Sequence, residues 1–461
     1  MYSVKDVMES MNLAVFGASR DPQKAGSVLL ELLRKTGFQG RVAGVNPRGG
    51  EVSGFTLYKR LEDVPFKVEL GVMLIPPQAV PDALIACARM GVNGVVISSE
   101  GFAEAGGEGG SYQEQARKIL RSTGMRGFGP NTLGIVNTAT GMTTSYIANS
   151  HTLRPGSIGL VAQSGIFVGA LLRYLSSVEG LQISKGLGLG NKVDVDECDA
   201  LAYLSEDEAT KIVGLYLEDI RDGSRFLEVA RKSVPKKPVL LLKGGCTERG
   251  AQATATHTAS LAMDDVVLDG ALRQAGIIRV GGVEELISTL MGFSFAPLPR
   301  GNRIALVTYS GAQAVMSIDA ATEEGLYLAR LGRKTRQRLS GVIKNSAKSS
   351  NPVDMFPDMM THGFEKTTTQ ILRALLMDKE VHGIVFISFA RSEGESFLPL
   401  VEVIKEMGDK PVFFSLFGTR EDVEADRAFL EKHGIPFYPF PEMAVRVFAR
   451  MWEYARRLAE S

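Results

Sequence analysis

Ile158-Gly-Leu-Val-Ala-Gln-Ser-Gly165 returns later in the chain as Ile304-Ala-Leu-Val-Thr-Tyr-Ser-Gly311. Each reads as a short apolar strand that breaks at a Ser-Gly corner before a helical pattern. More pairs follow in the same order. Asn191-Lys-Val-Asp194 matches Asn351-Pro-Val-Asp354, and Gly214-Leu-Tyr-Leu217 matches Gly383-Ile-Val-Phe386. Lys237-Pro-Val-Leu-Leu241 matches Lys410-Pro-Val-Phe-Phe414. Gly276-Ile-Ile-Arg279, then Glu284, matches Gly434-Ile-Pro-Phe437, then Glu442. This ordered series predicts an internal duplication of a flavodoxin-like parallel α/β domain, over 150–295 and 300–461. Phe295-Ala-Pro-Leu-Pro-Arg-Gly-Asn302 reads as the linker between the copies.

Upstream, residues 1–145 show the same alternation with a different spacing. Leu13–Ala18, Val42–Asn46, Leu70–Pro76, Gly94–Ser99 and Gly127-Phe-Gly-Pro-Asn131 read as strands, with helical stripes such as Val28, Leu29, Leu32 and Leu33 between them. Strands alternating with helices predict a Rossmann-like parallel sheet covered on both faces, with ligands beyond the carboxyl ends of its strands. Three α/β domains suit a chain of 461 residues.

Composition narrows the functional classes. Lys plus Arg is 52 and Asp plus Glu is 52, so no global field draws nucleic acid or an anionic membrane. No apolar run is long enough for a membrane helix. Lys5, Asp6 and Glu9 precede the first apolar stretch, unlike a signal peptide. Cys87, Cys198 and Cys246 have no CxxC spacing. They predict neither a metal site nor a disulfide framework, and a cytoplasmic location. Fifty glycines point to many tight turns, or to backbone approaching phosphates.

The duplication also exposes what the copies do not share. Lys237 to Gly276 spans 39 residues and Lys410 to Gly434 spans 24, which leaves about 15 extra residues in the first copy. They fall around Gly244 to Leu261, a stretch of small residues carrying one histidine, His257. Glu218 follows the Gly214 strand, where the later copy has Ile387. An imidazole ordinarily titrates at about pH 6.5, so at cytoplasmic pH it is mostly neutral and nucleophilic. At ~3.3 Å per extended residue, such a loop could carry it tens of ångströms between two sites. That suits a phosphoryl carrier, with Glu218 accepting a hydrogen bond from the other ring nitrogen. The residues alone allow equally a surface histidine in a loop of small residues.

Ser164-Gly165 and Ser310-Gly311 each place free backbone N–H groups and a positive dipole end at a corner. Two such ends facing each other would hold a phosphate. Gly17-Ala-Ser-Arg20 follows a strand but lacks the G-x-G-x-x-G pattern, since the next glycine is Gly26. Asn46-Pro-Arg48 puts a base where a dinucleotide site would offer an acid, which suits the extra ribose phosphate of coenzyme A or NADP. No G-x-x-x-x-G-K-[ST] loop occurs.

Taken together, Phe16-Gly-Ala-Ser-Arg, Val45-Asn-Pro-Arg, Ser99-Glu-Gly-Phe-Ala-Glu, Gly129-Pro-Asn-Thr-Leu-Gly, Val161-Ala-Gln-Ser-Gly, Gly190-Asn-Lys-Val-Asp-Val-Asp, Tyr216-Leu-Glu-Asp-Ile and Thr256-His-Thr-Ala-Ser-Leu-Ala resemble the NDP-forming acyl-CoA synthetases. This is the superfamily of succinyl-CoA synthetase and ATP-citrate lyase. The chain most resembles the α subunit of the ADP-forming acetyl-CoA synthetases over essentially its whole length. The resemblance implies a Rossmann-like CoA-binding domain followed by two flavodoxin-like ligase domains. It implies interconversion of acyl-CoA, ADP and phosphate with carboxylic acid, ATP and CoA. The intermediates would be an acyl phosphate and phospho-His257, with Glu218 orienting the ring. It implies that Gly17, Ala18, Ser19, Arg20, Asn46, Arg48, Pro76, Ser98, Ser99 and Glu100 fall at the coenzyme A site. Asn131, Ser164, Gly165, Gly311 and Ala312 would fall near the thioester and phosphate.

Arg48 stands where family members usually have Lys, and Gly311-Ala-Gln-Ala314 replaces a Gly-Gly-Pro-Gly type loop. No ATP-grasp module is legible in the chain. The resemblance therefore implies an ATP-grasp β subunit in an α2β2 assembly, holding ADP or ATP with Mg2+. Two other readings stay open at this point: a non-catalytic CoA- or acyl-CoA-binding regulatory module, and an NADP dehydrogenase using Arg48.

Overall fold

The computed structural model describes residues 2–146, 152–178, 180–252, 264–345, 349–356, 358–391 and 394–460, with backbone only at 166–168 and 394–395. The chain divides into two compact units, Met1–Ser177 with Leu181–Gly281, and Val178–Gly180 with Gly282–Ser461.

The first unit holds two sheets. Its first comprises β1 (Asn12–Phe16), β2 (Arg41–Val45), β3 (Gly50–Val52), β4 (Phe55–Tyr58), β5 (Leu70–Met73), β6 (Gly94–Ile97) and β7 (Arg126–Phe128). The order is β3-β4-β2-β1-β5-β6-β7, parallel except for β3 against β4. Without that edge strand this is the doubly wound order of a Rossmann sheet, whose switch point lies between β1 and β5. β5 and β6 are wholly buried apolar runs, as a sheet covered on both faces requires. Gly17 ends β1 at φ +85°, and a Cβ there would lie 2.1 Å from the carbonyl oxygen of Leu74. Only glycine fits that turn.

The second sheet comprises β8 (Ile135–Asn137), β9 (Met142–Thr143), β10 (Ile158–Ala162), β11 (Ile183–Gly188), β12 (Ile212–Leu217), β13 (Val239–Lys243) and β14 (Ile278–Val280), ordered β14-β13-β12-β10-β11-β8-β9. Strands β10 to β14 have the flavodoxin-like order. β8 runs antiparallel to β11, so residues inside the expected 1–145 segment pair on the second sheet. A partly buried ion-pair network also joins the sheets. Arg126 of β7 reaches Asp194 at 2.8 Å and Asp199 at 2.7 Å.

The second unit is built on β15 (Arg303–Thr308), β16 (Tyr327–Leu328), β17 (Val353–Asp354), β18 (Gly383–Phe389) and β19 (Val412–Phe417). Their order is β16-β15-β18-β19, with β17 on β15, and a bridge from Phe414 to Phe437. That repeats β11-β10-β12-β13-β14 position for position, so the duplication seen in the sequence is a duplication of topology. The helix Pro441–Glu460 covers one face through Val445, Phe448 and Met451, with Trp452 packed against the same cluster. The fold bears out the Rossmann-like and flavodoxin-like expectation.

Candidate functional site

Within the first unit, a cavity of about 840 Å³ opens where the carboxyl ends of both sheets converge. Ser98 and Glu100 enter it from the loop after β6, and Asn131 from the loop after β7. Ser164 and Gly165 enter at the start of the helix Gly165–Ser177. Asn131 takes the left-handed conformation at φ +56°, which asparagine tolerates better than most residues. Its N–H donates to the carbonyl of Ser99 at 3.0 Å, tying the two loops together. The helix start offers unpaired N–H groups and the positive dipole end to an anion. Gly169, Ala170 and the exposed Arg173 continue the same wall along that helix. Burial, and then the carboxylate of Glu100, lift the Tyr146 phenol on the cavity wall above its usual range.

Glu218 does not line this cavity. It follows β12 and is buried. Gln163 stands between, lining the cavity and accepting the Glu218 N–H at 2.8 Å. The Tyr216 hydroxyl donates to Glu218 Oε1 at 3.3 Å, and Lys243 Nζ donates to the Glu218 carbonyl at 2.8 Å. Burial, and then Glu218, push the Tyr216 phenol up to about 12. His257 lies outside the described residues.

The remaining sequence-derived positions cluster at the switch point of the first sheet. Asn46 Nδ2 donates to the Ala18 carbonyl at 2.6 Å, and the Arg48 N–H to Asn46 Oδ1 at 2.9 Å. The Gly17 N–H reaches the Val45 carbonyl at 3.2 Å. The Ser27 hydroxyl donates to the Ser19 carbonyl, and the Ser99 hydroxyl to the Ile75 carbonyl. Pro76 is exposed at the end of the loop after β5. Arg48 is exposed, and Arg20 lines a second cavity of about 630 Å³ with Glu31, Lys35 and Ser53. In the second unit, Gly311 and Ala312 are exposed at the start of the helix Gly311–Glu323. Among the described residues, no cluster of His, Cys, Asp and Glu is arranged to hold a metal.

Gln163, Glu104 and Asn191 line the cavity too; each falls in a motif quoted above, but the sequence reading gives none of them a role. Glu104 Oε1 accepts the N–H groups of Gly101 and Phe102, and its Oε2 accepts from Asn191 Nδ2 at 2.5 Å. Lys192, at φ +52° and fully buried, donates to Glu197 Oε2 at 2.9 Å and to Asp219 Oδ1. That pairing holds the backbone on which Asn191 stands.

Residues 11–138 match the family model of a CoA binding domain, and 155–293 that of a succinyl-CoA ligase like flavodoxin domain. A curated relative from Archaeoglobus fulgidus, acetate–CoA ligase [ADP-forming] II, is 35% identical across 99% of this chain and 68% of its own. The α subunit of acetate–CoA ligase [ADP-forming] II from Pyrococcus furiosus is 35% identical across 93% of each chain. The chain belongs to the ADP-forming acyl-CoA synthetase family. A solved member, a dinucleotide-forming acetyl-coenzyme A synthetase 1 from Ca. Korarchaeum cryptofilum with phosphate and ADP, superposes with a TM-score of 0.90. It is 30% identical and covers 97% of this chain and 96% of its own. Within this synthetase-family chain, the CoA-binding segment carries the corners from Gly17 to Asn131. The flavodoxin-like segment carries Gln163, Asn191 and Glu218.

Proposed function

We propose that this chain is the CoA-handling α component of an ADP-forming acyl-CoA synthetase of acetyl-CoA type. The observation that carries the reading is the cavity at which Ser98, Glu100 and Asn131 meet Ser164 and Gly165. One wall belongs to the sheet that the family uses for coenzyme A. The other is a helix start suited to phosphate. Coenzyme A would run from Gly17–Arg20, Asn46 and Arg48 past Pro76 to Ser98–Glu100, its thioester at Asn131.

Phosphate bound at Ser164 and Gly165 attacks the thioester carbonyl. The carbon–sulfur bond breaks, leaving acyl phosphate and the CoA thiol. The His257 imidazole then takes the phosphoryl group and the acid leaves with the bridging oxygen. Phospho-His257 finally passes PO3 to ADP, restoring the ring. Glu218 orients that ring. The functional division follows 1–145, 150–295 and 300–461, with β8 and β9 of the first segment contributing strands to the second sheet.

A relative of matching length is named an α subunit, and a longer one, of which this chain spans 68%, carries no subunit designation. That supports a partner subunit, which on the family resemblance is an ATP-grasp β subunit in an α2β2 assembly that holds ADP or ATP with Mg2+. Among the described residues no helix is long and apolar enough to cross a membrane, and the reading places the enzyme in the cytoplasm.

The test is incubation of the chain, with its ATP-grasp partner, with acetyl-CoA and radiolabelled phosphate. Acid-labile label on the wild type and none on His257→Asn is expected. Equal labelling of both would remove His257 from the mechanism. ATP formed by the α chain without a partner would overturn the division of labour.

A further inference from the structure

Two side chains on the main cavity's wall are buried with unmet hydrogen-bonding capacity. Asn191 is 5% exposed and Ser98 is 4% exposed. Asn191 Oδ1 and Ser98 Oγ have no hydrogen-bond partner among the described residues.

The orientation of the Asn191 amide follows from its neighbours. Its Nδ2 lies 2.5 Å from Glu104 Oε2 and 2.9 Å from Gln113 Oε1. A carboxylate can only accept. Gln113 presents its oxygen, because that atom also receives the Ala103 N–H at 3.4 Å. A flipped Asn191 would set three acceptors against one another. The backbone is held as well. The Asn191 N–H donates to the Pro130 carbonyl at 2.9 Å, and Arg221 Nη2 donates to the Asn191 carbonyl at 2.6 Å. Oδ1 is therefore fixed away from Glu104 and Gln113, as an acceptor without a donor. A buried acceptor left unpaired is costly, so a site built this way discriminates for ligands that supply the donor. Glu100 and Glu104 on the same wall oppose a second carboxylate there.

We propose that Asn191, with Ser98, accepts a hydrogen-bond donor carried by the thioester ligand: an amide N–H of the pantetheine arm or a hydroxyl on the acyl chain. The inference rests on the acyl-CoA reading above. It makes Asn191 a specificity-determining residue.

The experiment is calorimetric titration of the full chain with CoA, butyryl-CoA and hydroxybutyryl-CoA isomers, for wild type, Asn191→Ala and Ser98→Ala. With the donor on the acyl chain, a hydroxybutyryl-CoA binds the wild type about tenfold tighter than butyryl-CoA, and both variants lose the preference. With the donor on pantetheine, all ligands weaken together by about tenfold in the variants. Ser98→Ala keeps the test open should Asn191→Ala fail to fold. Unchanged binding of every ligand in a folded variant overturns the inference while leaving the acyl-CoA reading intact. Failure of every ligand to bind the wild type overturns both.

Discussion

Gln163 holds the turn after β12 through one side-chain oxygen, which accepts the N–H of Glu218 at 2.8 Å and that of Asp219 at 3.1 Å. Its amide nitrogen donates to Asp219 Oδ1 at 2.7 Å, and the same residue lines the cavity beside Ser164. One amide therefore links the corner proposed to bind phosphate to the carboxylate proposed to orient His257.

Gln163→Leu removes the acceptor of the buried Glu218 N–H and the part-buried Asp219 N–H, which should cost about 2 kcal/mol. Urea unfolding would register that loss. The displaced Glu218 should also lower phosphohistidine labelling while CoA binding persists. Parallel loss of CoA binding would mean that Gln163 supports the whole cavity rather than the Glu218 turn.

Gly26 lies in the first turn of the helix Ala25–Lys35, where an added Cβ would meet the Gly17 carbonyl oxygen at 2.5 Å and Ala18 Cα at 2.9 Å. Alanine is the better helix former by about 1 kcal/mol. The clash with backbone outweighs that gain, because neither partner can swing away. Gly26→Ala should displace the Gly17–Arg20 corner and weaken CoA binding by about tenfold, roughly the 1.4 kcal/mol of a modest steric penalty. Equilibrium dialysis against CoA checks this, and unaltered affinity would detach that corner from the coenzyme.

The Arg303 N–H lies 3.1 Å from His382 Nδ1, and the Arg303 guanidinium nitrogen Nη2 lies 3.1 Å from Nε2. Burial, and then the Arg303 guanidinium, hold the imidazole below its usual 6.5. The unfolded chain therefore takes the proton first. Stability present above pH 6.5 is lost as pH falls from there toward the folded value. Thermal unfolding between about pH 7 and about pH 5 should show this decline, and His382→Gln should flatten it. An identical slope in both proteins would assign the acid sensitivity elsewhere.

Cys246 is exposed, while Cys87 and Cys198 are buried and pushed up to about 12. Burial, and then Asp265, also raise the Cys246 thiol, despite Arg279 Nη2 at 3.3 Å from its sulfur. A thiol-directed alkylating agent at neutral pH should therefore modify the native chain once, at Cys246, and more slowly than a free thiol. Unfolding should release all three cysteines. Mass spectrometry of digested protein reads the sites, and native modification of Cys87 or Cys198 would contradict their burial.

The strands that ended in Gly, Ser or Asn were legible because a buried parallel strand is an apolar run with a hard stop. The β3–β4 hairpin was not. Glu51 and Thr56 are exposed, and its short strands carry no apolar run. β8 was missed for another reason: its residues look like the end of the first sheet, and only pairing with β11 assigns them to the second.

The Ser164-Gly165 corner could be picked out because strand ends of parallel sheets gather ligands, and Ser98, Glu100 and Asn131 through the family resemblance; the cavity lies among them. Asn191 and Gln163 could not. Asn191 meets Glu104 across 87 positions and Gln163 meets Glu218 across 55, and a polar residue in a sequence does not announce its partner.

The sequence by itself determined the two kinds of α/β sheet, the duplication, and the surplus residues around His257 in one copy. These are local patterns of burial, turn chemistry and length, repeated along the chain. The tertiary structure alone decided that Gln163 carries Glu218, and that Asn191 faces the cavity with an acceptor unpaired. Hydrogen bonds between distant segments depend on distance and direction, which exist only once the sheets have brought those segments together.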